Sequence, residues 1–173
     1  MRVSTGDGLV VGRGMPAFVL RGVILVVGVA LVVIPLREGV TVGTLALLLP
    51  AVLASVYAPA SPAPAGVVVI TAVVVALADG PPLRVEVLVI VPLVHLFHVS
   101  CGLAGAVPAS GRVHLRALRA PAVTFLLVQA AMAVLVGVVA LLPATRNAPL
   151  AEGVALVGLA GIVLVIVWLQ RVK

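Results

Sequence analysis

Charged residues are scarce in this chain of 173 amino acids. They make up 9% of the sequence, whereas hydrophobic residues make up 64%. A water-soluble domain has about a quarter of its residues charged, so this chain lacks the polar material needed to cover a globule. The composition therefore excludes an ordinary soluble domain and predicts an integral membrane protein.

Cysteine, lysine and aromatic residues are also rare. The single cysteine excludes a disulfide framework and any CxxC redox or zinc motif within one chain. The net charge is +6, but aromatics make up only 3% and no basic stripe with interleaved aromatics is present, so no nucleic-acid partner is expected. Ten arginines against one lysine, among abundant alanine, valine, glycine and proline, are typical of a GC-rich bacterial genome.

Long apolar runs are what the chain does contain. A helix that crosses the hydrocarbon core needs about 20 mainly apolar residues. The runs predict an all-α fold, a bundle of six transmembrane helices with short loops, in which residues 1–16 form a flexible polar segment and 17–173 a single transmembrane domain. The six predicted spans are 17–36, 40–57, 63–79, 87–107, 122–143 and 152–169.

The distribution of basic residues supports six spans with both termini in the cytoplasm. Cytoplasmic segments of membrane proteins carry an excess of arginine and lysine. With six spans, the cytoplasmic pieces hold eight of the eleven basic residues, namely Arg2, Arg13, Arg21, Arg112, Arg116, Arg119, Arg171 and Lys173. The first run lacks a small-x-small cleavage site, which favours an uncleaved anchor. The predicted location is the cell (plasma or inner) membrane, with the lipid bilayer as the surrounding partner.

The stretch PLVHLFHVSC, residues 92–101, holds two histidines and the only cysteine. On a helix with 100° between residues, His95, His98, Cys101, Gly102 and Gly105 share an arc of about 120°. Small residues allow close helix approach and polar side chains hydrogen-bond across a helix seam, so this arc is predicted to be a packing face.

The fifth run offers a partner for that face. Gln129 shares an arc of about 80° with Ala122, Ala133, Gly137 and Ala140. Its depth in the membrane matches that of His98 on an antiparallel neighbour, which predicts a hydrogen bond between the two side chains. His95, His98, Cys101 and Gln129 therefore form the candidate intramembrane polar site.

Two prolines lie inside the predicted spans, Pro50 in the second and Pro92 in the fourth. Each removes one helical hydrogen bond, which makes both positions candidate hinges, although such kinks also simply shape a bundle. The loop at 110–121 carries Arg112, Arg116 and Arg119 at helical spacing. This loop is either a topology signal or a docking site for an acidic partner or lipid headgroup.

No catalytic, metal or cofactor site is expected. His95 and His98 are one turn apart, but a closed zinc site needs four ligands and the other candidates are poorly placed. Haem between helices would need ligands from two spans or two copies of the chain. Cys101 has no triad partner, and no GxSxG turn or P-loop is present. The histidines are therefore either structural or, because ionisable groups are costly in a membrane, involved in handling protons or substrate.

Three functions remain open. The first is a non-enzymatic accessory or scaffold subunit of a membrane assembly. The second is a small transporter or permease with His95 and His98 near the bilayer midplane. The third is a membrane redox protein that binds haem or metal through these histidines. The protein partners expected for the chain in general are further copies of itself, in a homo-oligomer, or other membrane subunits.

Overall fold

The computed structural model of the chain describes residues 14–37, 41–78, 81 and 83–141. The described part is all-helical apart from one short antiparallel ribbon. The elements are β1 (Met15–Pro16), α1 (Ala17–Arg37), α2 (Val42–Tyr57), α3 (Ala63–Leu77), α4 (Val85–Gly105), β2 (Arg112–Val113) and α5 (Leu115–Leu141). The chain divides into two compact units, Met1–Leu126 and Leu127–Lys173, with the boundary inside α5.

Three of the described helices are long and apolar enough to cross a membrane: α1, α4 and α5. The helices α2 and α3 are apolar but contain only 16 and 15 residues. With a rise of 1.5 Å per residue they are about 24 and 22 Å long, against a hydrocarbon core of about 30 Å. The prediction of six spans is therefore not supported, because 40–57 and 63–79 yield shorter helices and 152–169 lies outside the described residues.

The core of the first unit lies where α1 crosses α2, α3 and α4. The buried residues of α1 recur every three or four positions, which puts them on one stripe of the helix. They are Leu20, Ile24, Val27 and Leu31. The facing residues of α4 follow the same spacing and are Ile90, Phe97, Cys101 and Ala104, with Val52 of α2 and Val67 of α3 beside them.

One glycine allows the closest approach within this core. A Cβ atom added to Gly28 of α1 would collide with Cγ1 of Val52, and it would lie 3.3 Å from Cε2 of Phe97. Small residues at helix crossings let backbones approach closely in membrane proteins. Gly28 is therefore the point at which α1, α2 and α4 meet.

The loops and helix termini gather at the two ends of the first unit. At one end β1 pairs with β2, Met15 opposite Val113 and Pro16 opposite Arg112, and the Ala17 backbone N–H donates to the Gly111 carbonyl at 3.0 Å. A Cβ added to Gly105 at the end of α4 would lie 3.3 Å from Cβ of Ala60, in the loop between α2 and α3. The start of α1, the α2–α3 loop and the α4–α5 loop therefore lie at the same end.

The fifth helix begins earlier than predicted. It starts at Leu115, seven residues before the predicted span at 122, and continues through Pro121. His114 stabilises the start of this helix through two hydrogen bonds. Its Nδ1 accepts one from the Arg116 backbone N–H at 3.4 Å, and its carbonyl accepts one from the Ala117 backbone N–H at 2.8 Å. Part of the predicted loop at 110–121 is therefore helical.

Candidate functional site

The buried face of α4 differs from the predicted packing face. Phe97, Ser100, Cys101 and Ala104 are buried, while His98, Gly102 and Gly105 are exposed. On the helical wheel the buried residues lie on the opposite side from His95, and Cys101 alone belongs to both faces. The arc of histidines and glycines therefore points away from the core of the first unit.

His95 lies opposite the buried face on the helical wheel and contacts Phe125 of α5. Its ring centroid is 4.9 Å from that of Phe125, with an angle of 36° between the ring planes. This distance lies within the range of aromatic pairs, which prefer tilted or offset arrangements. His95 is thus placed against an aromatic ring inside the first unit.

His98 occupies a different environment, although it lies less than one turn away. It is exposed, and so is Gly102 one turn later; a Cβ added to Gly102 would meet no atom within 4 Å. With a rise of 1.5 Å per residue, His98 lies about 10 Å from Gly105 along the helix axis. An imidazole and an open glycine therefore share an outward surface of a membrane-length helix.

Leucine substitutions distinguish the two histidines. We expect His95→Leu to lower the free energy of unfolding by about 0.5–1.5 kcal/mol, because it removes the ring contact with Phe125. His98→Leu should change it by less than about 0.5 kcal/mol, because the side chain is exposed. Far-UV circular dichroism during SDS unfolding of the protein in dodecyl maltoside measures both values, and equal losses would contradict this placement.

Cys101 is one of the described side chains that could bind a metal ion. Cys101 is a free, buried cysteine in the core cluster beside α1, where it packs as a small apolar side chain. Within the described residues, no three or more His, Cys, Asp or Glu side chains lie close enough to hold a metal ion. Glu86, the only acidic residue described, lies in the first turn of α4.

The other predicted site residues occupy separate places. Gln129 belongs to the second unit, and its pairing with His98 stays a prediction. Pro50 and Pro92 lie inside α2 and α4, both of which continue through the proline; their role as hinges also stays a prediction. No residue of α5 is buried, and a Cβ added to Gly137 would meet no atom within 4 Å.

The three arginines of the predicted basic loop are exposed. Arg112 lies in β2, whereas Arg116 and Arg119 lie in the first two turns of α5. Arg21 of α1 is half-buried, and α1 begins beside β2 through the pairing with β1. The basic residues of two separate sequence segments thus belong to the same end of the first unit.

Sequence reasoning missed a cavity between α3 and α4. It has a volume of about 330 Å³ and is lined by five residues of α3 between Val68 and Ala76 and four of α4 between Val87 and Val94. The only polar side chain in this lining is that of Thr71, whose Oγ1 is buried and has no hydrogen-bond partner among the described residues. Neither histidine of α4 borders the cavity.

Comparison of the chain with protein-family models, curated proteins and solved structures finds no match. The described residues define the class on their own: a helical protein, with one short strand pair, in which three of the described helices are long and apolar enough to cross a membrane.

Proposed function

We propose that the chain is a non-enzymatic accessory or scaffold subunit of a membrane assembly. The exposed surface of α4 around His98 and Gly102 then receives a helix of another subunit. The observation that carries this proposal is the exposure of both residues on a helix of membrane length. An imidazole facing lipid is unfavourable, whereas a partner helix supplies a hydrogen bond to it and packs closely against glycine.

The exposed surface of α5 also supports a contact with another subunit. After its first two turns, which hold Arg116 and Arg119, α5 is apolar, and none of its residues is buried. It carries small residues, with Ala133 one turn before Gly137. Small residues spaced by four are typical of helix–helix contacts in membranes. The alternative of a transporter would place the histidines beside a substrate space, but neither histidine of α4 lines the cavity between α3 and α4.

We further propose a location and a membrane topology for this subunit. The subunit lies in the cell (plasma or inner) membrane of a bacterium, with both termini in the cytoplasm and residues 152–169 as a further span. The short helices α2 and α3 then complete six crossings where the bilayer adapts to them, because a short apolar helix is accommodated by local thinning. The end of the first unit that carries Arg112, Arg116 and Arg119 faces the cytoplasm.

Native mass spectrometry after gentle extraction from the source membrane tests the proposal. We expect a stoichiometric second subunit on the wild-type chain. Gly102→Leu should reduce its occupancy about tenfold, because a bulky side chain blocks close approach. His98→Leu should reduce it about threefold or more, through loss of an interhelical hydrogen bond.

Matched controls separate assembly from folding. Gly22→Leu on α1 is the control for Gly102→Leu, because a Cβ at Gly22 also meets no atom within 4 Å. Thr124→Leu is the control for His98→Leu, because Thr124 is an exposed polar residue on a membrane-length helix. A bare monomer or homo-oligomer, or equal losses in variants and controls, would contradict an accessory role; a bound haem or metal mass would favour the redox alternative.

A further inference from the structure

The lining of the cavity between α3 and α4 includes one unusual residue, Thr71, whose hydroxyl is buried beside the cavity. Thr71 is 1% exposed, and its Oγ1 has no hydrogen-bond partner among the described residues. Buried hydroxyl groups in proteins are almost always hydrogen-bonded, and leaving one unpaired in an apolar environment is unfavourable. The hydroxyl therefore calls for a partner from outside the described residues.

Ser55 shows how this bundle treats another buried hydroxyl. Ser55 is fully buried in α2, and its Oγ donates to the carbonyl of Ala51, one turn earlier, at 2.7 Å. This bond to the preceding turn is the usual arrangement for serine and threonine within helices. Thr71 lies in the middle of α3 without such a bond, and it borders a cavity.

The size and lining of the cavity define what fits there. Apart from Thr71, the side chains that line it are valine, alanine and isoleucine. Its volume of about 330 Å³ lies at the lower end of the range for small-molecule sites. It is roughly twice the size of an apolar cavity that holds one benzene molecule, which corresponds to a ligand of about twelve carbon atoms.

We propose that this cavity binds a lipid-class molecule, an aliphatic or isoprenoid chain that carries one hydroxyl or carbonyl oxygen. Rotation of Thr71 about its Cα–Cβ bond turns the buried Oγ1 toward the cavity, where it hydrogen-bonds to that oxygen. A hydroxyl group both donates and accepts, so Thr71 suits either kind of oxygen. The apolar lining holds the hydrocarbon chain. This site is separate from the His98 surface and does not depend on the proposed accessory role.

Photolabelling of the purified full chain in phosphatidylcholine vesicles tests the proposal. The probe is a twelve-carbon fatty alcohol with a diazirine in its chain and a terminal alkyne, and unlabelled dodecanol is the competitor. We expect saturable labelling that mass spectrometry maps to peptides of α3 and α4. Thr71→Val keeps the side-chain shape and removes the hydroxyl, so the probe's apparent affinity should fall about two- to tenfold.

Two further variants make the result decisive. Val91→Phe fills the cavity with a ring and should abolish the saturable labelling. Thr124→Val removes a hydroxyl from an exposed position on α5 and should leave the affinity unchanged. Labelling that does not saturate, that spreads over the exposed surfaces of α1 and α2, or that is equal in Thr71→Val and wild type would overturn the proposal, provided that circular dichroism shows each variant folded.

Discussion

Replacing Phe97 with alanine is expected to lower the free energy of unfolding by about 3 kcal/mol. Phe97 is the largest fully buried side chain of the described residues and lies in the core between α1 and α4. Phenylalanine-to-alanine changes in protein cores cost about 3–5 kcal/mol. We expect the lower end of this range because lipid and detergent solvate exposed apolar groups, so that lost packing supplies most of the cost.

Phe18→Ala is the matched control for this experiment. Phe18 lies on α1 and is 68% exposed, so its truncation should change the free energy of unfolding by no more than about 0.5 kcal/mol. SDS-induced unfolding in dodecyl maltoside, followed by far-UV circular dichroism, measures both variants. Similar losses for Phe97 and Phe18 would mean that α4 does not pack through the face described.

The position of Phe97 explains why the packing face of α4 could not be predicted from the sequence. A soluble helix shows its buried face by the contrast between apolar and polar residues. In α4 almost every residue is apolar, and the conspicuous residues, His95 and His98, drew the prediction to their own side. The buried side is chosen by shape, since Phe97 packs where α1 carries Gly28, and that match involves residues about seventy positions apart.

The helices themselves were largely predictable, because length and uninterrupted apolarity are local properties of a sequence. The predicted runs at 17–36 and 87–107 correspond to α1 and α4 within two residues at each end. The predicted start of the fifth helix was wrong. The segment before Pro121 contains three arginines and was therefore predicted to be a loop, but α5 begins at Leu115. Arginine is a good helix former, and α5 continues through Pro121, its seventh residue, as α2 and α4 continue through Pro50 and Pro92.

Some features of the candidate site could also be predicted from the sequence, and others could not. The outward position of His98 can be seen only once the buried side of α4 is known, although its presence in a membrane-length helix was readable from the sequence. Thr71 gave no signal of its own, because a single hydroxyl in an apolar run usually bonds to the preceding turn of its helix. Only the three-dimensional arrangement reveals that its Oγ1 lacks such a bond and that Thr71 borders a cavity.

Adding one methyl group at Gly28 is expected to destabilise the protein by about 1–3 kcal/mol, the usual cost of overpacking a tight core. The new Cβ would collide with Cγ1 of Val52, on the backbone-proximal part of a short, branched side chain that has little room to move. Gly22→Ala on the same helix is the control, since a Cβ there meets no atom within 4 Å. Alanine is the better helix former, so Gly22→Ala should leave stability unchanged or slightly raised.

A second substitution shows whether the collision is the cause. Val52→Ala removes the two methyl groups that a Cβ at Gly28 would meet, and alone it should be destabilising because it leaves a cavity. Combined with Gly28→Ala, the added methyl group occupies part of that cavity, so the double variant should be at least about 1 kcal/mol more stable than the sum of the single effects predicts. Strict additivity would show that α1 and α2 do not meet at Gly28. The close crossing against which Phe97 of α4 packs, with His98 on the exposed side, would then lose its basis.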